Sequence, residues 1–294
     1  MKLGLGTVQF GLDYGISNKH GMTPINQVKE ILAHAHESGI RVLDTAMLYG
    51  KSEEVLGVSL SPSHSFDIVT KTLQFKKPQI NQNDAKKLTE GFEASLTKLG
   101  RQSVYGLLIH HADDLLAKGG EYLMEAMLSL KASGAVKKIG VSVYDSNQVE
   151  QILEKYSIDL VQLPINVFDQ RLLINGNLKA LKNAGIEIHA RSIFLQGLLL
   201  MPVEQMPDFF SPIKPLAASY NKLLSTHDIT PLQGALSFAQ QCEEIDSVIL
   251  GVSSINELTE IIAAWSSVSE QKIDFSHYAC TDSRMINPAQ WNMT

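Results

Sequence analysis

The chain has 294 residues, with 31 acidic and 25 basic side chains for a formal charge of −6. Hydrophobic residues make up 44% and charged residues 19%, a globular balance that excludes a largely disordered chain. Mild acidity without a basic stripe argues against nucleic-acid binding, which rests on Lys and Arg at phosphates, and points to a small-molecule partner.

Length alone suggests about two domains of roughly 150 residues, yet α/β barrels of this size are routinely single domains. Short apolar runs at residues 3–5, 42–43, 68–69, 105–109, 138–141, 160–163, 186–189 and 248–250 read as strands. Between them lie amphipathic stretches of helical length, among them 24–37, 84–99, 122–132 and 148–156. Thr23-Pro24 offers a capping hydroxyl and a first-turn proline, and Ser254 stands three residues before Glu257 in a capping-box pattern. Gly39, Gly134 and Gly185 end helices just before the next strand. Eight such units without a linker predict a (β/α)8 TIM barrel over residues 1–294, with 271–294 as a C-terminal tail. A doubly wound open sheet is the alternative.

Cys242 and Cys280 have no paired spacing, so no disulfide framework or zinc ribbon is expected. The opening residues lack the apolar stretch of a signal peptide. The most apolar run, 192–201, is broken by Gln196 and Gly197 and falls short of the ~20 residues of a membrane span. A reduced, cytoplasmic protein with no membrane partner is expected, and no feature speaks for an oligomeric state. The histidine spacings offer no metal site: His110 and His111 would point to opposite faces of a strand.

Barrel chemistry sits where strands end at their C-terminal side. The eight runs close on Gly6-Thr7, Asp44, Lys71, His110, Ser142, Gln162, Arg191-Ser192 and Gly251, and Tyr49 follows Asp44 by five residues. Asp44, Tyr49, Lys71 and His110 suggest a proton-transfer device. A phenol near pKa ~10 is a poor acid at neutral pH, and an ammonium beside it is expected to lower that value. Gly4, Gly6 and Gly11 do not form a dinucleotide fingerprint, because Gln9 stands where its third glycine belongs. They are read as shaping a strand end and its loop.

The segments LGLGTVQFG, GIRVLDTAMLYGKSEEVLG, IVTKT, GLLIHH, GAVKKIGVS, VQLPIN and GVSSINELTEI, in this order over nearly the whole chain, resemble the aldo-keto reductase family. The resemblance implies an NAD(P)H-dependent oxidoreductase acting on aldehydes, ketones or alcohols, with Tyr49 as general acid/base supported by Asp44, Lys71 and His110. It implies a cofactor site of Gly6, Thr7, Asp44, Ser142, Gln162, Arg191, Ser192, Phe194, Gly197, Gly251, Ser253 and Glu257, with Ser142 and Gln162 at the carboxamide. The carbonyl substrate would meet Tyr49, His110 and His111, with walls from Phe194, Phe209, Phe210 and Trp291.

Four departures from the family stand out. The chain enters directly on its first strand, without the usual N-terminal hairpin. Val143 replaces the Asn that usually follows the strand-five Ser, and Arg191 replaces a ring-stacking Tyr, although a guanidinium can also stack. No Lys or Arg occurs between Lys222 and Lys272, where relatives that use NADPH carry an Arg for the 2′-phosphate, and Glu257 would oppose one. NADPH is the family default, with NADH its rival. Two other readings are a Schiff base on Lys71, as in barrel aldolases, and a cofactor-sensing subunit with little turnover.

Overall fold

Each apolar run becomes one parallel strand: β1 (Lys2–Gly6), β2 (Val42–Asp44), β3 (Asp67–Lys71), β4 (Val104–Ile109), β5 (Val136–Ser142), β6 (Leu160–Pro164), β7 (Glu187–Arg191) and β8 (Ser247–Gly251). In the computed structural model, which describes residues 1–16, 18, 21–61, 63–268 and 272–291, they close into a barrel in chain order. The last strand pairs with the first in register Gly4↔Ile249 and Gly6↔Gly251. This is the expected (β/α)8 barrel and not an open sheet. Of the expected tail, residues 271 and 292–294 lie outside the described residues.

The helices are α1 (Ile25–Glu37), α2 (Ser52–Ser59), α3 (Gln82–Leu99), α4 (Ala112–Leu116), α5 (Glu121–Ala132), α6 (Ser146–Lys155), α7 (Arg171–Ile174), α8 (Asn177–Asn183), α9 (Lys214–Thr226), α10 (Pro231–Gln241), α11 (Ile255–Ser267) and α12 (Ser283–Ile286). Helix α1 buries Val28, Ile31, Leu32 and Ala35, the stripe a 3.6-residue period lays on one face. Its start differs from the expectation: Pro24 is the N-cap, and the Thr23 hydroxyl is buried without capping anything. Helix α3 begins two residues earlier than its pattern suggested, because Asn81 and Asp84 form a capping box. Ser254 does cap α11 through the Glu257 N–H, but the Glu257 carboxylate reaches back to Ser253 instead of closing the box.

Strand alternation explains where the polar groups go. Outward positions such as Leu43, Ile68, Leu107, Val141, Val161, Ile188 and Val248 join the helices in the main core. Inside the barrel, Val42, Val69, Leu108, Leu160 and Ile249 form a small separate cluster. Two residues further along each of those strands the next inward position reaches the mouth. There stand Asp44, Lys71, His110, Gln162 and Gly251. The barrel interior leaves little room at β1, where a Cβ on Gly4 would lie 2.6 Å from Ile249 Cδ1. Gly11 is needed outside it, since a Cβ there would lie 1.9 Å from the Tyr49 carbonyl oxygen.

No helix among the described residues is long and apolar enough to cross a membrane. Nor do they contain a group of three or more His, Cys, Asp or Glu side chains arranged to hold a metal ion. Cys242 and Cys280 are free thiols.

Candidate active site

A cavity of about 540 Å3 opens at the C-terminal ends of the strands and continues towards the start of α11. At its floor Lys71, 1% exposed, donates to both oxygens of Asp44 at 2.6 and 2.7 Å and to the Thr45 carbonyl at 3.0 Å. Its ammonium also donates to Tyr49 Oη at 3.3 Å. Gln162 Nε2 donates to Asp44 Oδ1 at 2.6 Å. The carboxylate therefore binds Lys71 and Gln162 together, and Lys71 passes the contact on to the phenol.

The loop after β2 is fixed from beneath. Thr7 is fully buried; its N–H and hydroxyl both donate to the Asp44 carbonyl at 2.9 Å, and Ser52 Oγ lies 2.8 Å from its Oγ1. Lys51 N–H donates to the Gly11 carbonyl, which the missing Cβ at Gly11 permits. Thr7 was expected at the cofactor edge; it borders the cavity, but its hydroxyl is committed to holding Asp44 in place.

The electrostatics of the floor differ from the expectation in one respect. Burial pushes the Tyr49 hydroxyl above its ordinary pKa, Asp44 pushes it further, and Arg191 opposes them. The phenol is thus held protonated instead of being drawn towards phenolate. Burial lowers the Lys71 ammonium, against the pull of Asp44. His110 meets the Tyr49 ring edge-on, with centroids 5.9 Å apart. Burial, then the charges of Lys71 and Arg191, lower its pKa to about 3, so the imidazole is neutral.

Three residues that line the cavity carry a buried polar atom without a protein partner: Gln9 Oε1, Gln162 Oε1 and His110 Nδ1. With its amide nitrogen committed to Asp44, Gln162 presents a lone acceptor beside Ser142 on the neighbouring strand, where Ser142 pairs with Gln162. An acceptor next to a hydroxyl suits a carboxamide. Val143, in place of Asn, turns its side chain into the outer core, and its carbonyl accepts from Arg191 Nη2 at 3.3 Å.

Arg191 lies over the Tyr144 ring, with Cζ 4.3 Å from the centroid. Beyond it the chain takes positive φ at Ser192 (64°), Leu195 (48°), Gln196 (55°) and Gly197 (92°), a tight loop whose Ser192, Phe194 and Gly197 line the cavity. Gln196 Nε2 donates to Tyr14 Oη at 3.1 Å, so the loops after β1 and β7 meet across it. At the far end, Gly6 and Gly251 lie side by side, and Ser253, Glu257 and Glu260 complete the wall. Glu257 Oε2 accepts from the Ser253 N–H at 2.7 Å.

Several expected wall residues lie elsewhere. His111 is the N-cap of α4 and turns to Asp113 and Asp114, with Nδ1 3.5 Å from the Asp114 carboxylate. Phe210 is fully buried against Phe209 and Trp291, with centroids 5.0 and 4.9 Å away; none of the three borders the cavity. Gln9, Tyr14 and Tyr144 border it instead. Tyr144 sits two residues past Ser142, a spacing that would have exposed it. Gln9 lies in the single 3-10 turn Val8–Phe10 and Tyr14 on the irregular loop after it, neither with a periodic signal.

Comparison with known proteins gives the class. The Aldo/keto reductase family model matches residues 2–274, and the chain belongs to that family of nicotinamide-dependent oxidoreductases acting on small carbonyl compounds. It is 25% identical over 280 residues to the uncharacterized oxidoreductase YqkF of Bacillus subtilis, covering 90% of this chain and 86% of the relative. It is 26% identical over 260 residues to L-galactose dehydrogenase of Arabidopsis thaliana, covering 82% and 78%. The fold superposes on the holo form of aldo-keto reductase AKR11C1 from Bacillus halodurans with a TM-score of 0.74 at 19% identity, covering 97% and 95% of the two chains.

Proposed function

We propose that the cavity binds a nicotinamide dinucleotide and that the protein interconverts small carbonyl compounds and alcohols, with Tyr49 moving the proton. The observation that carries this reading is the chain of contacts Asp44–Lys71–Tyr49 at the cavity floor. Because Tyr49 Oη accepts from Lys71, its own proton is left to point at a substrate oxygen. The bound dinucleotide supplies or takes up the hydride at the substrate carbon. In the reducing direction the phenol proton passes to the oxygen as it gains negative charge. The phenolate left behind lies against an ammonium, which stabilises it. Neutral His110, with Nδ1 unpartnered, orients the substrate oxygen.

Gln162 Oε1 and the Ser142 hydroxyl would hold the carboxamide, and the loop containing Ser192, Phe194 and Gly197 would cover the dinucleotide with Gly6 and Gly251 beneath it. The adenosine end favours NADH over the family default NADPH. Glu257 and Glu260 face it, no Lys or Arg occurs between Lys222 and Lys272, and the Ser253 N–H already serves the Glu257 carboxylate. A 2′-phosphate would meet carboxylates there, whereas a ribose hydroxyl could donate to them.

The Schiff-base alternative has less support, because the Lys71 Nζ is engaged by both oxygens of Asp44, the Thr45 carbonyl and Tyr49 Oη, which leaves it poorly placed to attack a carbonyl carbon. Titration with NADH and NADPH, followed by a panel of carbonyls with the tighter binder, tests the proposal. NADH is expected to bind at least about tenfold more tightly, a difference of ~1.4 kcal/mol. Binding of neither nucleotide would overturn the reading.

A further inference from the structure

Lys71 enters the cavity already neutralised by Asp44. Arg191 does not: among the described residues no carboxylate lies within ion-pair distance of its guanidinium. The group is nonetheless held firmly. Tyr144 covers one face, with Cζ 4.3 Å from the ring centroid, while Nη2 donates to the Val143 carbonyl and Nη1 to Ser192 Oγ. All three anchors are neutral, so the structure fixes the position of a cation that no carboxylate among the described residues offsets, facing something in the cavity.

Its place in the barrel says what that is. Arg191 ends β7, next in the sheet to β6 and β5, whose ends carry Gln162 and Ser142. On the reading given above, these two residues take the carboxamide, so the uncovered side of the guanidinium borders the nicotinamide end of the ligand. The charge is felt on the cavity floor as well, where it lowers the proton affinity of Tyr49, Lys71 and His110.

We propose that Arg191 makes this site distinguish the redox states of the nicotinamide, disfavouring the oxidised ring, which is cationic, relative to the reduced ring, which is neutral. The inference rests on the dinucleotide reading and adds a direction to it. Two like charges in a partly desolvated site repel, whereas the neutral ring keeps the stacking face without that cost. By linkage, a site that holds the reduced form more tightly makes the bound couple a stronger oxidant than the free one. The equilibrium on the protein then shifts towards the state in which the alcohol carbon has given up its hydride to the ring and its hydroxyl proton to the Tyr49 oxygen.

The test is equilibrium binding of NAD+ and NADH to wild type, Arg191→Gln, Arg191→Met and Arg191→Lys, with thermal unfolding as the check on folding. Wild type is expected to bind NADH more than about tenfold more tightly than NAD+. Both neutral variants narrow that ratio by about fivefold or more, chiefly by binding NAD+ better, and Arg191→Lys stays within about twofold of wild type. Gln keeps a planar donor for the Val143 carbonyl, so it serves if the Met variant does not fold. An unchanged ratio in the neutral variants overturns the proposal. So does equal weakening of both forms, which would place the guanidinium at the pyrophosphate. A wild type that binds neither nucleotide overturns the dinucleotide reading itself, an outcome distinct from either.

Discussion

At the open end of the barrel a carboxylate, a lysine, a tyrosine and a histidine meet as Asp44, Lys71, Tyr49 and His110; at the closed end the same four types meet as Glu187, Lys138, Tyr105 and His189. The bonding runs in opposite senses. At the closed end everything converges on the carboxylate: Tyr105 Oη donates to Glu187 Oε2 at 2.6 Å, Lys138 donates to the same oxygen, and His189 Nε2 lies 2.7 Å from Oε1. The Tyr105 proton is consumed inside the cluster. At the open end Tyr49 Oη accepts from Lys71, and its proton faces a cavity. The difference teaches that residue types do not make a site; hydrogen-bonding capacity left unused at a cavity does.

The sharpest break between the two ends should come from Lys71→Met. It strands the buried Asp44 carboxylate, for which a loss of ~3–5 kcal/mol is expected, and removes the contact to Tyr49. Chemical denaturation and turnover should both collapse. Lys138→Met removes an ammonium whose side chain is 30% exposed, so a loss of about 1 kcal/mol or less is expected, with turnover unchanged.

Acid should separate the ends as well. Burial raises the Glu187 carboxyl, but hydrogen bonds from His189, Lys138 and Tyr105 override it and hold the pKa at about 2, below its ordinary 4.5. A depressed carboxyl contributes stability that is present above its unfolded pKa and lost as pH falls through the folded one. Melting temperature should therefore drop between pH 4.5 and about 2 in wild type, and drop less in Glu187→Gln. The smallest effect is an absence: with its pKa at about 3, His110 should add no inflection to kcat/KM near the ordinary histidine value of 6.5.

Much of the open end was legible because strand ends are tied to periodicity. Once an apolar run is placed, the inward residue beyond it is determined, and Asp44, Lys71, Ser142 and Gln162 follow. The loops were not legible in that way. His111 was expected beside its neighbour at the cavity, but it occupies the N-cap position of a short helix, with its ring beside Asp113 and Asp114. Phe209, Phe210 and Trp291 were expected as walls, and their aromatic surface was satisfied by one another. The direction of the Tyr49 shift was missed because burial, with the Asp44 charge added, outweighs the opposing Arg191 guanidinium, and burial cannot be read from spacing. Apart from the Glu187–His189 pair, the closed-end cluster is joined across 49 and 82 positions of sequence, by Lys138 and Tyr105, which no local pattern reveals.

The most direct test sets the two tyrosines side by side: NADH affinity and single-turnover carbonyl reduction for Tyr49→Phe and Tyr105→Phe. The predicted result is a rate loss of about 10²–10⁴-fold in Tyr49→Phe with cofactor affinity nearly intact, against wild-type rates and a stability loss of ~1–2 kcal/mol in Tyr105→Phe. Equal rates in Tyr49→Phe and wild type would contradict the assignment of the proton to Tyr49.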